Sequence, residues 1–327
     1  MEETNKVSAS LVTLPTELLL TIAQHTTWQS RHSLSQTNFR LRQIFHPTLT
    51  KAHRLSIKGC ENVEFYLLDF QLDPETTVRH EFKSMGGRRT EVKTVWNTAV
   101  GGEENGRKTT RQLPTPSRTH VINIFRDILQ NYKLNKIEIG IDSFIPFLSD
   151  YKEKSIDTLG VSDSEEALEQ AIRLQPKNLT IFGRSEMSKK KRVECVDLEK
   201  LPNLKTLHLY CSSISFDQFF CSQITTLITA SDTIPITDKH VKTLINRWKT
   251  GQINNINHIQ MSTASTWSPF SAYYYYNSRD KMNWAEDVGK WDIPGLFWEK
   301  IQNPKGDVAM VIKWNDEFSF YTYPKSR

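Results

Sequence analysis

The chain has 327 residues, of which 38% are hydrophobic and 24% charged, and its mean hydropathy is −0.51. This length predicts one large domain or two modest domains with a substantial core. No apolar run reaches the roughly eighteen residues of a membrane span, so we expect no membrane association. The formal net charge of +5, from 42 basic and 37 acidic residues, gives no electrostatic reason to expect nucleic-acid binding.

Residues 1–10 have neither the basic segment nor the apolar segment of a secretory signal, so we expect the protein in the cytoplasm, the nucleus or both. The four cysteines include no C-x-x-C pair, and Cys60 and Cys221 are expected to be buried. Zinc-protease, dinucleotide, P-loop and nucleophile-elbow motifs are all missing from the sequence. We therefore expect no catalytic residue, no metal and no cofactor, and we predict that the protein is not an enzyme.

The N-terminal segment is typical of short helices. Pro15 suits a first helical position, and Glu17 complements the positive end of a helix dipole. Further helices are predicted over residues 27–34 and 39–45, with Pro47 ending the last one. The first helix has an apolar stripe formed by Leu18, Leu19, Ile22 and Ala23.

About forty residues in three short helices bury too little surface to be stable alone. The module therefore either leaves apolar surface for another protein or packs on the rest of the chain. Its two halves, LPTELLLTI at residues 14–22 and LSQTNFRLRQI at residues 34–44, resemble an F-box. The sequence departs from the F-box pattern at Thr26, Ser30 and Arg31.

The resemblance covers residues 8–55 and implies docking on a Skp-type adaptor and, through it, on a cullin. The residues that it assigns to adaptor binding are Leu14, Pro15, Leu18, Leu19, Ile22, Leu34, Leu41 and Ile44.

Beyond this module, period-2 alternation predicts strands over residues 54–58, 63–70 and 90–96. The segment 101–110 lacks apolar periodicity and is predicted to be an exposed loop. An amphipathic helix is predicted after Pro116, with an apolar face formed by Val121, Ile124, Phe125, Ile128 and Leu129.

An L-x-x-L-x-L pattern then recurs, with central residues Ile137, Leu159, Leu207 and Ile259 and weaker copies around Leu179 and Leu227. Helices are predicted between copies, over residues 164–174 and 238–249. Strand–helix alternation predicts parallel strands with right-handed crossovers, and the spacing favours an irregular leucine-rich-repeat-like stack. An ordinary α/β sheet is the alternative. His208 and Gln260 are expected on the face opposite the central residues.

The C-terminal residues 308–314 and 317–323 alternate in hydrophobicity around Asn315 and Asp316, which predicts a β-hairpin covering the sheet edge. A second resemblance lies in residues 232–251, 257–261 and 306–311, which are similar to the F-box-associated domain of nematode F-box proteins. Its most specific part covers about residues 200–275. Such a domain presents substrates to a ligase, and the resemblance implies no catalytic residue.

Two further segments leave alternatives open. The basic run 189–192 is interpreted as a solvated loop, with a localisation signal or nucleic-acid patch as the alternative. The tyrosine run 273–276 is interpreted either as an exposed recognition loop or as an insertion folded on the sheet.

The expected fold class is α+β or α/β, with a three-helix F-box over residues 8–55 followed by an irregular leucine-rich-repeat-like α/β region over residues 56–327 that ends in a β-hairpin. The expected function is substrate recognition in an SCF-type cullin-RING E3 ubiquitin ligase, with an unidentified protein target and no assigned substrate-binding residue. The alternative is a leucine-rich-repeat-like protein-binding scaffold with no ligase role.

Overall fold

The structure is a computed structural model. The residues that it describes are 14–25, 50–73, 76–85, 89–100, 103–104, 107–114, 116–183, 193, 195–210, 213–230, 237–253, 255–262, 297–314 and 317–323.

Fifteen of the described strands form one mixed sheet, and two short strands pair separately. In chain order the strands are β1 (Thr50–Cys60), β2 (Phe65–Gln71), β3 (Thr76–Ser84), β4 (Thr90–Val100), β5 (Glu103–Glu104), β6 (Arg107–Leu113), β7 (Tyr132–Ile139), β8 (Thr158–Ser162), β9 (Asn178–Phe182), β10 (Cys195–Val196), β11 (Thr206–Leu209), β12 (Ser213–Ile214), β13 (Thr226–Ala230), β14 (His258–Ser262), β15 (Phe297–Gln302), β16 (Val308–Trp314) and β17 (Glu317–Tyr323).

The α-helices of the described residues are α1 (Thr16–His25), α2 (Ser117–Asn131), α3 (Glu165–Leu174), α4 (Phe216–Cys221) and α5 (Asp238–Lys249). Hydroxyl side chains cap three of them at the N-terminus. The Ser164 oxygen accepts the N–H of Ala167 in α3, the Ser215 oxygen accepts the N–H of Gln218 in α4, and Thr237 caps α5. Gly251, with φ of 72°, follows α5 in the left-handed conformation that favours glycine. None of the helices in the described part of the chain has the length and apolar character needed to span a membrane.

The large sheet has three parts. Within the group β1 to β6, all neighbouring strands are antiparallel. Strand β1 also pairs in parallel with β7. A parallel run follows in the order β7, β8, β9, β11, β13 and β14. Strand β17 then pairs antiparallel with β14 and is followed by β16 and β15.

One apolar residue from each strand of the parallel run, and one from β1, lie in register across the sheet. We call these residues the ladder; they are Leu55, Ile137, Leu159, Leu179, Leu207, Leu227 and Ile259. Each is at most 1% exposed. The row continues through Phe320 and Val311 of the C-terminal strands, which are equally buried.

Helices cover the ladder face of the sheet. Phe125 of α2, Leu174 of α3 and Trp248 of α5 belong to the same buried core as the ladder residues. The Trp248 ring meets Phe320 of β17 edge-to-face at 5.4 Å, which ties the last helix to the C-terminal strands.

Several sequence predictions are confirmed at the level of single elements. The segments 134–139, 204–209 and 256–261 lie in one parallel run, with Ile137, Leu207 and Ile259 buried as expected. Helices α2, α3 and α5 form where predicted, and β16 and β17 form the predicted hairpin beside β14.

The predicted fold class is nevertheless wrong. The chain is dominated by a single large mixed sheet, rather than a three-helix F-box followed by a leucine-rich-repeat-like region. In a repeat stack each unit contacts only its neighbours, whereas here β1 joins the parallel strands to an antiparallel half of the same sheet. The helices predicted over residues 27–34 and 39–45 lie outside the described residues, and the division into residues 8–55 and 56–327 stays a prediction.

The exposed loop predicted over residues 101–110 is also wrong, because β5 and the start of β6 lie within it. Strand β6 pairs with β4 through its backbone, and its side chains are mostly charged or polar. Such an edge strand shows no apolar alternation because it has little apolar surface to bury, and its charges protect it against pairing with other chains.

The ladder predicts a difference between adjacent residues. Leu207→Ala should lower the free energy of unfolding by about 2–5 kcal/mol, because it removes buried methyl groups and leaves a cavity. His208→Ala, one residue further on the half-buried face, should change it by less than about 1 kcal/mol. Urea denaturation of the full chain measures both values, and the reverse ranking would contradict the register.

Candidate interaction surfaces

Helix α1 carries the first half of the F-box-like sequence. It begins at Thr16, directly after Pro15, whose carbonyl oxygen accepts the N–H of Leu19 at 3.1 Å. Leu18 is 52% exposed, whereas Leu19 beside it is fully buried. Helix α1 thus buries Leu19 and presents Leu18, the residue before it, outward.

The structure describes five of the eight residues assigned to adaptor binding. On and before α1, Leu14 and Ile22 are half-buried and Pro15 is exposed. The remaining three, Leu34, Leu41 and Ile44, lie outside the described residues.

A charged cluster lies on the face of the sheet opposite the ladder. Arg54 of β1 and Lys136 of β7 both pair with Glu138, and the Lys136 Nζ lies 2.9 Å from Glu138 Oε1. Burial alone would raise the pKa of Glu138, but the hydrogen bond from Lys136 and the charge of Arg54 outweigh it and lower that pKa. Glu138 is therefore held as a carboxylate between two cations.

Along the same row of the sheet lie His208 and Gln260, both half-buried. Burial lowers the pKa of His208, and the positive charge of Lys136 lowers it further. His208 is thus a neutral imidazole at pH 7, able to donate one hydrogen bond and accept another.

An aromatic pair lies on this face as well. The rings of Phe182 and Tyr210 stack at 6.3 Å, and Tyr210 is 40% exposed. Gly160 leaves space for them, because a Cβ there would lie 3.0 Å from the Phe182 ring. The opposite face of the sheet therefore combines charged, polar and aromatic groups, which suits protein contacts.

A groove of about 770 Å³ lies where the parallel strands begin. Two positions before each ladder residue of the parallel run, from Ile137 to Ile259, a polar residue lies at this edge of the sheet. We call these residues the edge row; they are Asn135, Asp157, Lys177, Lys205, Thr225 and Asn257. The first four of them line the groove.

Backbone hydrogen bonds join the edge row from strand to strand. The N–H of Lys205 donates to the carbonyl of Lys177 at 2.7 Å, and the N–H of Thr225 donates to the carbonyl of Lys205 at 2.8 Å. Asn257 donates in the same way to Thr225. These backbone groups are thereby satisfied within the sheet, so the side chains are the groups that a ligand would meet.

A second polar row lies four positions before the ladder residues and also lines the groove: Lys133, Ser155, Gln175, Asn203 and Gln223. Gln175 donates from Nε2 to the carbonyls of Ile172 and Lys200, at 2.6 and 3.0 Å. Its Oε1 is buried and has no hydrogen-bond donor among the described residues. This amide acceptor is therefore unsatisfied beneath the surface of the groove.

The sequence interpretation missed this groove, although a signal for it exists. Between the two polar rows stands a buried apolar residue, as with Leu204 between Asn203 and Lys205. The full repeat unit thus has five positions: a polar residue, a buried apolar residue, a second polar residue, a residue of any type and the ladder residue. The L-x-x-L-x-L pattern contains only the apolar positions, which determine the core, and the polar positions before them lie outside it.

Other predicted features have simple outcomes. Cys60 and Cys221 are exposed, so the prediction that they are buried is wrong.

The runs 189–192 and 273–276 lie outside the described residues. In the described part of the chain, no three His, Cys, Asp or Glu side chains lie close enough together to bind a metal ion.

No protein-family model matches this sequence, and comparisons with curated proteins and with solved structures gave no match.

The cluster around Glu138 predicts a pH-dependent contribution to stability. Because the native pKa lies below the ordinary value of 4.5, the carboxylate stabilises the fold fully above about pH 4.5, and this contribution is lost as the pH falls through the native pKa. Glu138→Gln should therefore lower the urea midpoint most near pH 7, and the difference from the unaltered chain should shrink towards pH 3.

Glu169→Gln, on the exposed side of α3, is the matched control and should change the midpoint little at either pH. A difference for Glu138→Gln that grows as the pH falls would contradict the assignment of Glu138 as a stabilising carboxylate.

Proposed function

We propose that the protein is a substrate-recognition subunit of an SCF-type cullin-RING E3 ubiquitin ligase. In this proposal α1 docks on a Skp-type adaptor, and the mixed sheet binds the protein that is to be modified. The observation that carries the proposal is Leu18, which lies in the F-box-like sequence and is 52% exposed on α1. A half-exposed leucine on an amphipathic helix is typical of a helix that docks into an apolar groove of a partner.

Such a subunit performs no bond chemistry itself. It raises the effective concentration of the target near a ubiquitin-charged enzyme held by the other subunits, so its contribution is proximity and orientation. This role needs no cofactor, and it belongs to the cytoplasm or the nucleus.

The complete burial of Leu19 supports a second candidate. In this alternative α1 packs within the chain, and the protein is a protein-binding scaffold with no ligase role. The two candidates differ in what covers the rest of α1, namely an adaptor or this chain.

The first candidate predicts that Leu18→Asp abolishes co-purification with a Skp-type adaptor, because a carboxylate cannot enter an apolar interface without a large desolvation cost. The urea midpoint should stay close to that of the unaltered chain, since Leu18 is already half in water. Co-expression of the two proteins followed by size-exclusion chromatography measures the first effect.

Thr16→Asp is the matched control. It adds the same charge to an exposed position of α1, about 200° around the helix from Leu18, and an acid suits the first helical turn. Adaptor binding that is absent from the unaltered chain, or equal in both variants, would contradict the ligase proposal and favour the scaffold.

A further inference from the structure

The groove at the start of the parallel strands has an excess of positive charge. Four lysines and one aspartate line it. Three of these lysines have carboxylate partners: Lys177 with Asp157 at 3.3 Å, Lys133 with Glu153 at 3.3 Å, and Lys136 with Glu138.

Lys205 differs from the other three lysines. Its Nζ donates to the Gln223 side-chain oxygen at 2.9 Å, and no carboxylate of the described residues lies within ion-pairing distance. It is also exposed. Lys205 is therefore the groove cation whose charge is available to a ligand.

Amides line the groove beside these lysines. Asn203 lies two residues before Lys205 on the same strand start, and Gln223, before the neighbouring β13, accepts a hydrogen bond from Lys205. Side-chain amides both donate and accept, so they pair with the peptide groups of an extended chain whatever its sequence.

The dimensions fit an extended peptide. Six strands contribute to the groove, because His53 of β1 lies beside the starts of β7, β8, β9, β11 and β13. Strands lie about 4.8 Å apart, so the five strand starts from β7 to β13 span about 19 Å. An extended chain rises about 3.3 Å per residue, which corresponds to about six residues.

Nucleic acid fits this groove less well. The described residues that line it include no Phe, Tyr or Trp on which bases could stack, and three of its lysines are already neutralised by nearby carboxylates. A phosphate backbone requires a continuous stripe of unpaired cations, and these residues do not form one.

We propose that this groove binds an acidic peptide segment, rich in Asp and Glu, in extended conformation across the strand starts. Lys205 pairs with a carboxylate of the peptide, while the amides of the second row bind its backbone. Its role as the target site of a ligase rests on the proposed function, but peptide binding is a property of this chain alone.

The test uses the full-length protein and a fluorescein-labelled hexapeptide of alternating Asp and Glu, with fluorescence anisotropy at low ionic strength as the readout. We expect saturable binding that weakens roughly tenfold in Lys205→Glu, and less in Lys205→Gln, because the cation is reversed in one and only removed in the other. The matching hexapeptide of Asn and Gln should bind at least about tenfold more weakly than the acidic one.

Lys242→Glu is the matched control, since it makes the same charge change at an exposed position of α5 outside the groove. It should weaken binding less than about twofold. Equal losses in Lys205→Glu and Lys242→Glu, equal binding of the uncharged peptide, or tighter binding of single-stranded oligo-dT would each overturn the proposal.

The adaptor experiment separates this inference from the proposed function. If the peptide binds but no Skp-type adaptor does, the groove assignment stands and only the ligase role fails. If the adaptor binds and the acidic peptide does not, the groove assignment fails.

Discussion

The in-register packing of one leucine or isoleucine per parallel strand holds the described part of this chain together. Leu55 of β1 begins the row and Ile259 of β14 ends its parallel part, with Phe320 and Val311 extending it into the C-terminal strands. Every member is at most 1% exposed. Because a shift of one residue in any strand would turn a buried side chain towards water, burial of the ladder fixes the register of the whole sheet.

That register also positions the polar groups. Once the ladder residues are aligned, Lys136 and Glu138 flank Ile137 on the opposite face, and the residues two and four positions earlier line up along one edge. The edge groove and the polar face are therefore consequences of the same constraint that builds the core. A protein that varied these polar residues would keep its fold, since the ladder and the helices over it would be unchanged.

The sequence predicted the parts of the fold that depend on apolar periodicity. The ladder residues and helices α2, α3 and α5 could be found because their side chains alternate between core and solvent at the period of the element. The strand β6 could not, because its polar residues form an edge that needs only backbone pairing. The joining of β1 to β7 also escaped prediction, because it is a contact between segments about eighty residues apart and depends on no local pattern.

The candidate sites divide in the same way. The exposed Leu18 was part of a recognisable motif, whereas the burial of Leu19 depends on packing that a motif does not specify. The edge groove arises only when six short segments are placed side by side. The positions of Lys205 and Gln175 in the sequence therefore could not indicate that they line a groove. Their repeated spacing from the ladder residues is the one feature of the groove that the sequence contains by itself.

Hydrogen exchange measured by mass spectrometry on the full chain tests the ladder most directly. If one packed row holds the parallel strands together, the amides of β7, β11 and β14 should exchange through a single opening with the same free energy, and that opening should need the highest free energy of any described segment. If β7 stayed protected while β11 or β14 exchanged with a clearly lower free energy, the strands would be separate units and the account of a single continuous ladder would be contradicted.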